Sequence, residues 1–331
     1  MLVTGGAGFL GSHFIRSWMS AEPGHVVNYD LLTYAGSPER LADVARDDRY
    51  RFVRGDVADR EAVRAALRDA QAGLVVHFAA ESHVTRSETD PEGFRRTNVE
   101  GTRVMLEEAA SAGVRRFVHI STDEVYGPIL EGAFREEDKE PGEGQATSPY
   151  AKSKAAADDL ALGFDADMEV VLVRPTNAFG PWQFPEKALP RWITRALRGE
   201  PLLVWGDGLY VRQWLYAEDL AEALRLVLGA ASPDPVYNVG PRHEPEITNL
   251  DLARWVLEHL GLPAERLELT AYDRPDHDRR YAVDPSRIEA LGWKPADPWE
   301  RFAETLDWYR ANDEWWRPLV AEAESIYRDR G

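Results

Sequence analysis

The run Leu2-Val3-Thr4 passes directly into Gly5-Gly6-Ala7-Gly8-Phe9-Leu10-Gly11, and few arrangements of backbone accept such a segment. Glycines at 5, 8 and 11, set between an extended run and a helical one, permit a tight turn and a close approach to the backbone. They also leave the first amides of the helix free to face an anion. The same alternation then repeats. Leu2 to Thr4, His25 to Tyr29, Tyr50 to Val53, Leu74 to Phe78, Arg116 to Ile120 and Glu169 to Val173 read as strands, with helical patterns near 9–20, 38–46, 59–70, 91–112 and 148–163 between them. Strands that alternate with crossover helices build a parallel sheet, and strands apolar at nearly every position imply a sheet covered on both faces.

The expected fold is α/β, a Rossmann-type doubly wound parallel sheet with a smaller, partly interleaved C-terminal lobe. The rhythm loosens after Arg174, where Pro175, Pro181, Pro185, Pro190 and Pro201 crowd into loops. A helix near 217–230 and a short strand at Val236 to Val239 still read as sheet elements. The expected division is therefore 1–175 plus about 213–236 for the sheet domain, and about 176–212 plus 237–331 for the second lobe. The segment 298–330 reads as helical and Trp-rich. There is no internal repeat.

Fifty-seven Asp and Glu against 39 Lys and Arg give a net charge of −18. A field of that sign repels polyanions, so nucleic acid and anionic membrane surfaces are not expected partners, whereas a small anion can still bind where a few cations converge. The absence of cysteine excludes disulfides, thiolate nucleophiles and Cys-ligated zinc, and no metal site is expected. With neither a signal peptide nor an apolar run of membrane-spanning length, the reading is a cytoplasmic protein.

Asp30 lies 19 residues beyond Gly11, at the end of the second strand. A carboxylate there accepts two ribose hydroxyls and repels a 2′-phosphate, so the glycine loop and Asp30 together point to NAD rather than NADP. Candidate cofactor contacts are Gly5, Gly8, Phe9, Leu10, Gly11, Asp30, Leu31, Thr33, Asp56, Val57, Phe78, Ala79, Ala80, Ser82 and Thr97. Asp56 reads equally well as a helix N-cap or as an acceptor for an adenine amino group. Tyr150 and Lys154, at i and i+4 after Ser148-Pro149, share a helix face. The lysine cation is expected to lower the pKa of the phenol, giving a base that takes a hydroxyl proton while hydride leaves for a nicotinamide.

The strand end Ile120-Ser121-Thr122-Asp123-Glu124-Val125-Tyr126-Gly127 resembles the extended short-chain dehydrogenase/reductase family, and within it the nucleoside-diphosphate-glucose 4,6-dehydratases. The likeness extends over essentially the whole chain, through Ala79-Ala80-Glu81-Ser82-His83-Val84, Phe184-Pro185-Glu186-Lys187, Trp214-Leu215-Tyr216-Ala217-Glu218-Asp219, Tyr237-Asn238-Val239-Gly240 and Asp273-Arg274-Pro275-Asp276-His277. The resemblance implies a lyase in a deoxysugar pathway, with Glu124 as the base at C5, Asp123 as the acid at the C6 hydroxyl, Thr122 on the C4 hydroxyl beside Tyr150, and a homodimer built on the 91–112 and 148–163 helices. To hold a proton near neutrality, Asp123 needs burial and the neighbouring negative charge.

The implied partner is a nucleoside-diphosphate sugar, with dTDP-glucose first. Its expected contacts are Ser82, Thr122, Asn177, Lys187, Ala188, Leu203, Val204, Trp205, Arg212, Asn238, Arg274 and His277. Departures from the family pattern fall at Thr85, Ala178, Gln213 and Asp276, and the sequence does not separate thymidine from uridine. The alternatives are a nucleotide-sugar 4-epimerase, a UDP-glucuronate decarboxylase, and a non-catalytic protein that binds NAD or a nucleotide sugar.

Overall fold

The computed structural model describes residues 1–139, 146–271 and 278–328. Among these the strands are β1 (Leu2–Thr4), β2 (Val26–Asp30), β3 (Tyr50–Arg54), β4 (Leu74–His77), β5 (Arg116–Ile120), β6 (Glu169–Pro175), β7 (Asn177–Phe179), β8 (Leu202–Trp205), β9 (Trp214–Tyr216), β10 (Val236–Val239) and β11 (Leu267–Thr270). The helices are α1 (Phe9–Ala21), α2 (Arg60–Ala70), α3 (Val84–Thr89), α4 (Pro91–Arg95), α5 (Thr102–Ser111), α6 (Pro149–Leu162), α7 (Ala188–Leu197), α8 (Ala217–Gly229), α9 (Asn249–His259), α10 (Ser286–Ala290), α11 (Pro298–Ala311), α12 (Asp313–Trp316) and α13 (Val320–Arg328).

Seven strands form one parallel sheet in the order β10-β6-β5-β4-β1-β2-β3, while β11 pairs with β8 and β7 with β9. The order reverses between β1 and β4, where Thr4 is aligned with Tyr29 on one side and His77 on the other. Ligands of open α/β sheets bind at such a reversal, beyond the carboxyl ends of the strands.

Strand alternation explains the continuous apolar runs. Val3, Val118 and Val171 enter a core with Phe14, Ile15, Leu220 and Leu224. Their chain neighbours Leu2, Phe117 and Leu172 enter another with Val63, Leu67 and Met105. Successive side chains of a strand point to opposite faces, so both must be apolar when helices cover both. A third core, with Phe179, Trp192, Leu202, Trp214, Phe302, Tyr309 and Trp316, holds the second lobe together.

Several elements differ from the sequence reading. The helix expected over 38–46 is only a 3-10 turn at Pro38–Leu41. Arg40 within it is buried and donates to the carbonyls of Ala7, Ala35 and Trp182, contacts that hold this segment against the glycine loop rather than in a longer helix. The helix expected over 91–112 is α4, a π-helical stretch at Arg96–Gly101, and α5. In that stretch Asn98 clamps the loop after β4, accepting from Glu81 N at 2.8 Å and donating to Glu81 O and to Ser153 Oγ. The helical C-terminal segment is broken into α11, α12 and α13, with Pro318 in the 3-10 turn Arg317–Leu319 between the last two.

The division placed at 236 falls on the first residue of β10, all of which pairs with β6 in the large sheet. Ile288 and Trp293 also join the first core, and the Trp293 indole N–H donates to Asp219 O at 2.8 Å. The chain thus returns to the first core at α10 and Trp293. An apolar face was available there, and a single-chain periodicity does not reveal it.

Candidate active site

A cleft of about 470 Å³ opens at the carboxyl edge of the sheet, within the range of small-molecule sites. It begins at the glycine loop. Gly5 has φ +68°, and a Cβ on it would lie 2.6 Å from Ala79 N, so β1 and β4 approach as closely as they do only with glycine there. A Cβ on Gly11 would stand 2.4 Å from Gly5 O. Gly8 caps α1 without a side-chain hydrogen bond, leaving the first amides of the helix open to the cleft. Replacing Gly11 by alanine is expected to weaken NAD binding at least tenfold and to lower the melting temperature, because a close backbone contact must open; calorimetric titration with NAD and a thermal scan check both.

Asp30 closes the second strand and borders the cleft, its carboxylate accepting from Ala7 N at 2.9 Å and Leu32 N at 2.8 Å. Burial pushes its pKa up, against the pull of those two amides. Asp56 does not cap α2; that cap is Asp59, which accepts from Ala62 N. Instead Asp56 accepts from Ala58 N at 2.8 Å and pairs with Arg96 at 2.7 Å. Leu31, Thr33, Val57, Phe78, Ala79, Ala80, Ser82 and Thr97 border the same cleft, as do Phe9 and Leu10.

Thr122, Asp123, Glu124, Tyr150 and Lys154 come together on the facing wall. Thr122 follows β5 and caps a 3-10 turn at Asp123–Tyr126, accepting from Glu124 N at 3.3 Å and donating to Asp123 Oδ1 at 3.2 Å. That turn is anchored from behind. The Tyr126 hydroxyl donates to Asn238 Oδ1 at 2.8 Å and accepts from Arg174 at 2.6 Å, and Arg174 pairs with buried Asp158 at 2.9 Å. Asp123 is 3% exposed; burial first, and the negative Glu124 second, push its carboxyl up to about 7. Its Oδ2 has no hydrogen-bond partner among the described residues.

α6 starts at the Ser148 cap, where Ser148 Oγ accepts from Ala151 N at 3.0 Å. It presents Tyr150 and Lys154 one turn apart. Lys154 Nζ donates to Ile120 O at 2.7 Å, and burial lowers its pKa to about 8 against the attraction of Asp158. The phenol corrects the sequence reading: its pKa is raised, not lowered. Burial and the charge of Glu124 outweigh the opposing hydrogen bond with Thr122.

Of the expected substrate contacts, Ser82 from the loop after β4 and Asn177, Lys187, Ala188, Leu203, Trp205 and Arg212 from the second lobe border the cleft. Val204 does not; β8 alternates, so Leu203 and Trp205 face the cleft while Val204 is wholly buried in the third core. Asn238 does not either. It is fully buried in the large sheet, its amide donating to Phe134 O and its backbone N–H to Glu136. Arg274 and His277, and the departure at Asp276, lie outside the described residues. Arg212 is oriented by the carbonyls of Val211 at 2.7 Å and Asp278 at 2.9 Å, with the Tyr281 ring 4.7 Å beneath it. Gln213, another departure, bridges both backbone groups of Val283.

Sequence reasoning did not single out Glu186, Arg191, Tyr210, Asn249 and Tyr327, which also border the cleft. Glu186 lay in a quoted motif; the carboxyl is buried, with its pKa raised and Tyr34 donating to it at 3.2 Å. Tyr327 carries no signal in the sequence, since only the return of α13 brings it there.

The profile of a family described as NAD dependent epimerase/dehydratase matches residues 1–240. The chain is 43% identical over 317 residues to the low-salt glycan biosynthesis protein Agl12 of Haloferax volcanii, covering 95% of this chain and 99% of that one. It is likewise 43% identical over 327 residues to a dTDP-glucose 4,6-dehydratase of an Actinoplanes species, covering 96% and 99%. The crystal structure of DesIV, a dTDP-glucose 4,6-dehydratase from Streptomyces venezuelae with NAD and TYD bound, matches with a TM-score of 0.88 at 41% identity, covering 96% and 99%.

Proposed function

This chain belongs to the NAD dependent epimerase/dehydratase family, and we propose that within it the protein is a dTDP-glucose 4,6-dehydratase, a hydro-lyase that forms dTDP-4-keto-6-deoxyglucose and water. One observation carries this reading above the others: a buried carboxyl at Asp123, pushed up to about 7, beside the second carboxyl of Glu124 and bordering the same cleft as Tyr150. A 4-epimerase works at C4 alone and has no need of an acid for a departing C6 hydroxyl. The relatives at about 43% identity support the same choice.

NAD is the cofactor, and the cleft fits it. Bare amides at the start of α1 suit a pyrophosphate, the Asp30 carboxylate suits an unphosphorylated ribose, and Gly5 and Gly11 keep the floor free of side chains. When bound, NAD supplies a hydride acceptor for C4 and a hydride donor for C6. The chain's own residues move the protons. Tyr150, hydrogen-bonded to Thr122, receives the C4 hydroxyl proton in its phenolate form as the C4–H bond breaks; burial and Glu124 raise its pKa, so that form is the minor one before NAD and substrate are bound. Lys154, one turn along α6 and buried, supplies the cation that makes this transfer affordable.

The resulting ketone acidifies the C5 proton. Glu124 takes that proton, Asp123 gives its own to the C6 hydroxyl, and water departs. Glu124 then returns a proton to C5, so the sugar gains a ketone and loses its 6-hydroxyl with no net redox change. Arg212 and Lys187 are the cations for the diphosphate, with Asn177 as a polar contact; Arg274 and His277 are retained as candidates from the family pattern. A homodimer on α4 to α6 and a cytoplasmic location complete the proposal; among the described residues no helix is long and apolar enough to cross a membrane.

Separate incubation of the NAD-loaded protein with dTDP-glucose and UDP-glucose, followed by mass analysis, tests the reading. Loss of one water from dTDP-glucose is expected, and an isomer of unchanged mass would favour an epimerase.

A further inference from the structure

The last helix reaches the cleft from a long way off in the sequence. Val320, at the start of α13, sits in the third core, and Tyr327 near its end borders the cleft. The Tyr327 hydroxyl donates to the backbone carbonyl of Glu186 at 2.5 Å. Its ring meets Trp205 at 5.5 Å with the planes at 62°, and the Arg191 guanidinium lies 4.0 Å over it. Trp205 and Arg191 border the cleft as well.

Arg191 is itself held by Glu324, one turn before Tyr327, at 3.2 and 2.9 Å. Glu322, also on α13, faces Arg86 of α3 at 3.8 Å. α13 therefore bridges α3 on one side and α7 on the other, and it completes a corner made of two aromatic rings and a guanidinium. Such a corner suits a flat, π-faced heterocycle better than a sugar or a phosphate. Lys187 stands one turn before Arg191 at the start of α7, which sets a diphosphate cation beside that corner.

We propose that α13 forms part of the nucleotide subsite and that Tyr327 is a specificity-determining residue for the nucleobase. The proposal rests on the nucleotide-sugar reading above.

Titration of the NAD-loaded protein with dTDP, and separately with inorganic pyrophosphate, tests it. Loss of one base–aromatic contact corresponds to about 5- to 150-fold in affinity. Tyr327→Leu should weaken dTDP by that factor while pyrophosphate affinity stays within about twofold. Tyr327→Phe, which keeps the ring and loses only the bond to Glu186, should bind dTDP close to wild type. In the wild-type protein, dTDP should slow backbone deuterium exchange over 320–328 and pyrophosphate should not.

Equal losses for dTDP and pyrophosphate in Tyr327→Leu would overturn the proposal, as would wild-type dTDP affinity in that variant. Unchanged exchange in α13 with dTDP bound also contradicts it, without depending on a variant that folds. Protein that binds dTDP yet releases no water from dTDP-glucose contradicts the dehydratase reading alone, and the affinity ratio still decides the role of Tyr327.

Discussion

Replacing Asp123 by asparagine is expected to slow water loss by roughly 10²- to 10⁴-fold, the usual worth of a positioned acid or base, while oxidation at C4 proceeds. Asparagine keeps the shape of the side chain and its hydrogen bond with Thr122, but it has no acidic proton for the C6 hydroxyl. The block is therefore expected after oxidation and before elimination. In a single turnover the absorbance of reduced nicotinamide should rise and persist instead of passing through a transient. In the proposed mechanism the acid form of Asp123 is the active one, and burial and Glu124 push its carboxyl up to about 7. In the wild type the elimination step is thus fully supplied with acid below that pH. It falls about tenfold for each unit above it. Asp123→Asn should lose this slope, because the titrating group is gone. An unchanged slope in the variant would move the acid to another residue.

Tyr150→Phe is expected to fail earlier. In the proposed mechanism the Tyr150 phenolate is the proton acceptor for the C4 hydroxyl, and its loss is expected to remove roughly 10²- to 10⁴-fold from the oxidation itself. No reduced nicotinamide should accumulate, in contrast to Asp123→Asn. The ring remains against Phe94, 6.4 Å between centroids, so the wall of the cleft is kept and dTDP affinity should change little. The raised pKa of Tyr150 in the structure sharpens this expectation. Burial and the charge of Glu124 raise its pKa, so the phenolate that accepts the proton is the minor form in the unloaded protein. A rate within tenfold of wild type would place the base elsewhere, with Thr122 the nearest hydroxyl.

What the sequence made legible follows from which physical constraints are local. The strand–glycine–helix run is local, so the loop, Asp30 and the parallel sheet could be read directly. The i and i+4 spacing of Tyr150 and Lys154 is local too. Which face of a strand meets a ligand is not. Val204 lies between two cleft residues, and only the pairing of β8 with β11 and the third core determine that its side chain turns inward. Asn238 reads as a polar group at a strand end, yet Tyr126, Phe134 and Glu136 take up its hydrogen bonds behind the Asp123–Tyr126 turn.

The break at Arg96–Gly101 was hidden for a similar reason, because the composition of 91–112 is helical throughout. The π-helical stretch matters through Asn98, whose amide bonds the loop after β4, a tertiary demand that no periodicity carries. Tyr327 is the extreme case. Its place beside Trp205 and Arg191 depends on the path of the whole second lobe. The raised pKa of the phenol was not legible from the spacing either, since burial and the charge of Glu124 set it.

The sharpest test uses dTDP-glucose carrying deuterium at C4. A 4,6-dehydratase must release one water and place that deuterium in the C6 methyl group of a 4-keto product, with a solvent proton at C5. Deuterium that stays at C4 of an isomer of unchanged mass, with no water released, would contradict the assignment of Asp123 and Glu124 to elimination.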